Sequence, residues 1–295
     1  MLLLASFYKV NSYLFCTHPL RHEYQDPLFS SSFKKSVKTS IGFQSIVFCM
    51  RFLTIVILAL LAGCSAQHVS QQVASKSGDI PDSHPVIERL GFTLGYDGKI
   101  KSAGWVYEEL TAESVHGQAD RSHFTFMEDP LIPETLRSTL SDYKNSGFDR
   151  GHLCPAANTR YSEEAMRETF YLSNISPQHP LLNRKYWVKL EKYIREKTKT
   201  YDKVFVVTGP LFLPTEEQDG KRYVKYQVIG ENDVAVPTHY FKVIRCLKAA
   251  RATTEAFIIP NAPVSMDAPL QSFSVSLEKV ERTAGITFKN HWRSL

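Results

Sequence analysis

The sequence predicts an α+β fold, a mainly antiparallel central sheet flanked by helices. Strand-like stretches outnumber helical ones, and the two kinds do not alternate as a doubly wound sheet requires. In addition, 43% of the 295 residues are hydrophobic, enough for one sizeable core. One domain of about 200 residues with appendages follows from that size.

Taken in order, residues 1–49 show no clean helical or strand period, and a second initiator-like Met50 follows them. They read as an over-extended start that the mature protein lacks. Met50 and Arg51 precede the apolar run 52–62 and then "LAGCSAQ", the pattern of a charged n-region, an h-region and a small-residue cleavage site. The run is shorter than the roughly 20 residues of a membrane span. Leu61, Ala62, Gly63 and Cys64 resemble the lipobox of bacterial lipoproteins, which makes residues 50–63 a signal peptide and Cys64 the lipidated first residue. The competing interpretation is a buried N-terminal hairpin and helix. The lipobox implies a periplasm-facing position in the cell envelope, the outer membrane foremost, with secretion as the alternative. Residues 64–86 are Ser, Gln, Lys, His and Asp with few large apolar side chains, a polar tether.

The domain proper is expected over residues 87–290. "GFTLGYD" (91–97) and "AGWVYEEL" (103–110) are strand-like alternations about a turn at Asp97 and Gly98. "VFVVTG" (204–209), "YVKYQVIG" (223–230) and "HYFKVI" (239–244) predict further strands, the first fully buried because its apolar run is continuous. "SEEAMRETF" predicts a helix capped by Ser162, with two acids in its first turn. "NRKYWVKLEKYIREKTK" from Asn183 places Trp187, Leu190 and Ile194 on one stripe. "SLEKVERTAG" predicts a helix stopped by Gly285.

The formal net charge is +5, but residues 1–63 hold six basic and two acidic side chains. What remains has 29 basic against 28 acidic groups, a balance of +1. Any affinity for nucleic acid must therefore come from local charge and site chemistry. Cys16, Cys49 and Cys64 fall in the processed segment, leaving Cys154 and Cys246. An exported pair forms a disulfide or stays as two buried thiols, and no CxxC spacing indicates metal.

"GFDRGHLCPAAN" (147–158) crowds Asp149, Arg150 and His152 behind a Ser-Gly turn, on a strand or loop edge expected to project His152 outward. By itself this is compatible with a structural histidine and an ordinary ion pair. Downstream, "YLSNISPQHPLLNRKYWVKLEKY" carries Asn174, Gln178, Asn183 and Glu191 at wide spacing. The ordered set DRGH, NxxPQ and LNxxxWxxLE is similar to the DNA/RNA non-specific endonucleases, the ββα-metal or His-Me finger group. "TGPLFLP" (208–214), "VPTHYFKVI" (236–244) and "IIPNAPV" (258–264) extend the resemblance, which covers roughly Leu90 to Phe288.

The resemblance implies a metal-dependent endonuclease that cuts DNA and RNA to 5′-phosphate ends. It makes His152 the general base, Asn183 the direct ligand of Mg²⁺ (Mn²⁺ as the alternative) and Glu191 a ligand through water. In an ideal helix, eight residues give about 12 Å of rise and an 80° offset, so Glu191 needs that water or Asn183 an irregular helix start. Arg150 suits a phosphate grip through its planar fork. Arg121, in "ADRSHFTF", resembles an upstream transition-state arginine, a solvated charge being the plain alternative. Asp149 is expected to orient the loop and Asn174 and Gln178 to brace the metal loop, with substrate contact as the alternative for all three, and Asn158 to serve a turn. Two departures stand out: Arg184 where the family commonly has glutamine, offering a phosphate contact or an exposed charge, and Cys154 where alanine is frequent.

Arg184, Lys185, Lys189, Lys192 and Arg195 form either a backbone-tracking face or a solvated helix surface. No recognition helix or zinc finger is present, so sequence selectivity is not expected. The implied partners are DNA and RNA, a membrane through the lipid anchor, and a second copy in a homodimer. Two other classes compete: a catalytically inactive, envelope-anchored nucleic-acid-binding protein, and a zinc hydrolase using His152, His179 and His239. The spacing of those histidines matches no zincin pattern.

Overall fold

The computed structural model describes residues 85–292, so the expected start segment, the signal peptide, Cys64 and almost all of the tether lie outside the described residues. All described residues belong to one unit, Gly78–Leu295. In chain order the first strands are β1 (Val86–Glu88), β2 (Thr93–Asp97), β3 (Ser102–Leu110), β4 (Asp149–His152), β5 (Ile175–Gln178) and β6 (Lys203–Leu211). The short pairs β7 (Thr215–Glu216) with β8 (Arg222–Tyr223) and β9 (Val228–Ile229) with β10 (Val234–Ala235) follow, then β11 (His239–Lys248) and β12 (Arg251–Pro260). The central sheet runs β1-β2-β3-β6-β11-β12, and every neighbouring pair is antiparallel. The expected α+β architecture is therefore present.

Period-2 alternation sorts the sheet's two faces. Val106 and Leu110 of β3, Val204 and Val206 of β6, and Tyr240 and Ile244 of β11 share a core cluster with Leu182, Trp187, Leu190 and Ile194. Val207, Phe241 and Val243 belong to the other cluster, with Val280, Phe288 and Trp292. Each fully buried side chain of this size contributes about 1.5–3 kcal/mol. Trp187, 1% exposed, is the largest of them, and its loss to alanine should cost about 3–5 kcal/mol.

Helices α1 (Leu140–Tyr143), α2 (Glu163–Glu168), α3 (Val188–Lys197) and α4 (Leu277–Ala284) complete the fold. The expected Ser162 cap and Gly285 stop are in place. Ser162 accepts from the Ala165 amide, and Gly285 closes α4 at φ 68°, a left-handed conformation that suits glycine; Ser276 also caps α4, accepting from the Lys279 amide. Among the described residues no helix is long and apolar enough to cross a membrane.

Three features differ from or add to the pattern expected. The stretch 223–230 is not one strand: it holds the end of β8 and all of β9, and between them Val224 and Tyr226 lie outside any strand and face solvent. At the rims of the expected domain, Val86 pairs with Gly95 and Trp292 is buried. Finally, β12 and β1 complete the sheet beyond the strands the alternation pattern predicted.

Candidate active site

The site is built on an insertion between two neighbouring strands. β3 and β6 pair directly, yet residues 111–202 lie between them in sequence and contain β4, β5, α2 and α3. β4 and β5 pair antiparallel, with Asp149 opposite Gln178 and His152 opposite Ile175. Gly151 makes this possible: a Cβ there would sit 2.2 Å from Gln178 Oε1. After β5 the chain enters a π-helical turn, Leu182–Trp187, that runs directly into α3. Together these elements form a ββα unit.

The π turn resolves the offset problem posed by an ideal helix. An i→i+5 turn takes up more residues than an α turn, which changes the angle between Asn183 and the α3 residue Glu191. Both line one cleft of about 620 Å³, together with Arg121, Arg150, His152 and Arg160. A second hollow of about 480 Å³, walled by Phe148 and Lys144, shares Arg121, Arg150 and Asn183 with it.

His152 does not project outward as expected; it is 9% exposed. Its ring sits between Phe126, 5.3 Å away, and Phe170, 5.0 Å away and edge-on. Trp187 Nε1 donates to the His152 carbonyl at 3.3 Å, fixing the strand end, while Nε2 has no hydrogen-bond partner among the described residues. Burial, reinforced by the charge of Arg121, lowers its pKa to about 3. The imidazole is therefore neutral.

Asn183 Nδ2 donates to Asp149 Oδ2 at 2.8 Å, which spends the amide's nitrogen on a buttress and leaves Oδ1 as an acceptor that could hold a metal. Arg184 clasps the same carboxylate through Nε and Nη2 at 2.8 and 2.6 Å. Asp149 thus joins Asn183 to Arg184, and although burial pushes its pKa up, Arg184 and Asn183 hold it below the usual carboxylate range. Arg184 is neither a free phosphate contact nor an idle charge. Glu191 accepts no hydrogen bond from a described residue, and burial raises its pKa to about 7, opposed by Lys242 and Arg195. Arg150 lies over the Phe126 ring at 4.7 Å, and Arg121 over Phe170 at 6.0 Å.

Asn174 and Gln178 do not brace the metal loop. Asn174 grips the segment after His152, accepting from the Cys154 amide and donating to the carbonyls of Cys154 and Thr169. Gln178 packs on Gly151, and its buried amide makes no hydrogen bond with a described residue. The basic face is also smaller than expected. Arg184 is paired, Lys189 donates to the Met266 and Ala268 carbonyls, and Arg195 to Asn158, which leaves Lys185 and Lys192.

Sequence reasoning missed Phe126, Phe170, Arg160 and a buried polar layer under the cleft. Asn158 is more than a turn residue: its Nδ2 donates to wholly buried Glu108 at 2.6 Å. The alternation that places Val106 and Leu110 inward places Glu108 inward too, and Tyr240 and Ile244 do the same for Lys242, so the signal was present. Cys154 and Cys246 are both free and buried. The zinc arrangement is absent: among the described residues no three His, Cys, Asp or Glu side chains group as a metal site. The backbone of His179 donates to Asn261, while His239 Nδ1 contacts Thr238, so neither joins His152.

Comparison with known proteins agrees with this geometry. Mitochondrial endonuclease G of Bos taurus is 50% identical over 211 residues, 71% of this chain and 70% of that protein. Nuclease C1 of Cunninghamella echinulata var. echinulata is 45% identical, covering 72% of this chain and 85% of that one. Human mitochondrial nuclease EXOG is 39% identical, covering 79% and 68%. The crystal structure of an EndoG/EndoGI complex, in which EndoG is inhibited, superimposes with a TM-score of 0.69 at 46% identity, covering 71% of this chain and 87% of that one. The model of the DNA/RNA non-specific endonuclease family matches residues 69–295, and the chain belongs to that family.

Proposed function

We propose that the protein is a divalent-metal-dependent endonuclease that hydrolyses phosphodiester bonds of DNA and RNA without sequence preference, leaving 5′-phosphate ends. One observation carries this reading: His152 and Asn183 line the same cleft, the first as a neutral imidazole and the second with its amide oxygen freed by Asp149. The neutral His152 imidazole takes the proton of the attacking water. Burial makes the free imidazole a weak base, and an arriving phosphate anion offsets the charge of Arg121 and raises its basicity. Arg150 and Arg121 hold the phosphate oxygens and the charge that grows on them.

Asn183 and Glu191 would hold the cation. A neutral amide oxygen and one carboxylate are hard donors, and so few protein ligands suit Mg²⁺, with Mn²⁺ as the alternative. When bound, the cation supplies charge neutralisation at the phosphate and the departing oxygen. Asp149 fixes the amide, and Arg184 fixes Asp149.

The test is cleavage of plasmid and RNA by the purified protein with Mg²⁺ or EDTA, beside His152→Ala and Asn183→Ala. Cutting that needs the metal and fails in both variants is expected. Binding without cutting would favour an inactive nucleic-acid-binding protein, and cutting that survives His152→Ala would reject the mechanism. The lipobox resemblance supports an envelope-anchored enzyme with Cys64 lipidated; an unmodified peptide spanning Gly63 and Cys64 in the mature protein would refute it. Sedimentation tests the proposed homodimer.

A further inference from the structure

Under the cleft, the central sheet presents two charged side chains to an otherwise apolar core. Glu108 on β3 is 0% exposed and Lys242 on β11 is 1% exposed. Lys242 Nζ donates to Thr208 Oγ1 at 2.6 Å and to the Leu153 carbonyl at 3.4 Å, and it stands 4.9 Å from the Trp187 ring. Glu108 Oε2 accepts from Asn158 Nδ2 at 2.6 Å and from Cys154 Sγ at 3.4 Å. Both therefore grip residues 153–158, the segment that leaves His152. Burial raises the pKa of Glu108 and lowers that of Lys242, and each charge opposes the shift of the other. Buried charges of this kind cost several kcal/mol apiece before compensation, and apolar residues of similar volume are often as stable or more so. Core stability alone does not account for them.

We propose that Glu108 and Lys242 are a positioning pair for the general base, tying β3 and β11 to the loop that sets the register of His152. The proposal rests on the nuclease reading above. Neither residue lines the cleft, so neither touches substrate. Their effect acts through backbone at Leu153 and side chains at Cys154 and Asn158. Trp187 connects the two systems, since it faces Lys242 and also donates to the His152 carbonyl.

The experiment compares Glu108→Gln, Lys242→Met and the double variant with the wild-type protein, using plasmid cleavage with Mg²⁺, thermal unfolding, and NMR of the His152 ring. Glu108→Gln keeps the shape and the acceptor, which guards against failure of Lys242→Met to fold. Each single variant should lower kcat about 10- to 100-fold with KM within twofold, the cost of a small misplacement of the base. The His152 ring signals should broaden or shift. In the double variant the unpaired buried charge is gone, so the melting temperature should recover while kcat stays low. Recovery of kcat together with stability would overturn the proposal, as would single variants with wild-type kcat. His152→Ala runs beside them: if it still cuts, the nuclease mechanism itself fails, whereas a dead His152→Ala beside a fully active Lys242→Met removes this proposal alone.

Discussion

The Asn183 amide and the Asp149 carboxylate are joined by a 2.8 Å hydrogen bond that links the π turn to β4. Because the amide nitrogen is the donor, the bond decides which atom of Asn183 faces the cleft. It ties β4, which carries His152, to the turn that carries Asn183 and leads into the helix of Glu191.

Asp149→Ala should therefore disable metal holding without removing a ligand. Loss of such a supporting group typically costs about 10- to 100-fold in metal affinity or activity. The Mg²⁺ concentration for half-maximal cleavage should rise accordingly, and an unchanged metal dependence would contradict the arrangement. Arg184→Gln should cost far less, because its side chain is 69% exposed and surface ion pairs contribute about 0–1 kcal/mol.

Buried His152 should make the protein sensitive to acid. Folded, the imidazole protonates only near pH 3; unfolded, it does so near its ordinary 6.5. Between these values the unfolded chain binds the additional proton, so stability falls as pH falls. From pH 6.5 to 5 the loss is about 2 kcal/mol from this residue. Urea denaturation of wild type and His152→Leu at both pH values checks it: the stability difference between the proteins should change by about 2 kcal/mol from pH 6.5 to 5, and a difference that stays constant would show that the imidazole is not the cause.

Glu191 has the opposite sign. Its folded pKa of about 7 lies above the ordinary carboxylate value, so the ionised side chain costs stability above that pH, and the cost vanishes below the ordinary value. With metal chelated, Glu191→Gln should stabilise the protein by about 1–2 kcal/mol at pH 8, a figure reduced for its partial exposure to the cleft, and by nothing at pH 4. The same variant should lose cleavage. A destabilised Glu191→Gln at pH 8 would show that the carboxylate is satisfied within the fold.

Cleavage should weaken with salt, and the slope should depend on cleft arginines more than on the helix surface. Each phosphate contact contributes about 0.9 to the slope of log affinity against log salt for duplex DNA. Arg160→Ala should reduce the slope by about one contact, whereas Lys185→Ala and Lys192→Ala should leave it nearly intact. Measurement of kcat/KM from low to physiological salt decides between cleft and surface.

Features set by short-range chemistry were legible in the sequence. The cap at Ser162, the stop at Gly285 and the buried β6 run all follow from neighbours in sequence, and all stand in the fold. The motif spacing also marked His152, Asn183 and Glu191, which do share a cleft. Long-range pairing was not legible. Nothing near Asn174 in sequence reveals that its amide serves Cys154, and nothing beside Arg184 reveals its carboxylate on β4. The Leu182–Trp187 turn defeats helical-wheel reasoning because one wider turn shifts everything after it.

The pairing of β3 with β6 across residues 111–202 has a biosynthetic consequence. Every group assigned to cleavage lies in a segment whose two ends meet only when the middle of the sheet zips shut, an encounter with a high loop-closure cost. A nascent chain whose β6 has not yet reached β3 should thus carry no cutting power. Activity would arrive with the closure of that pair rather than at the ribosome.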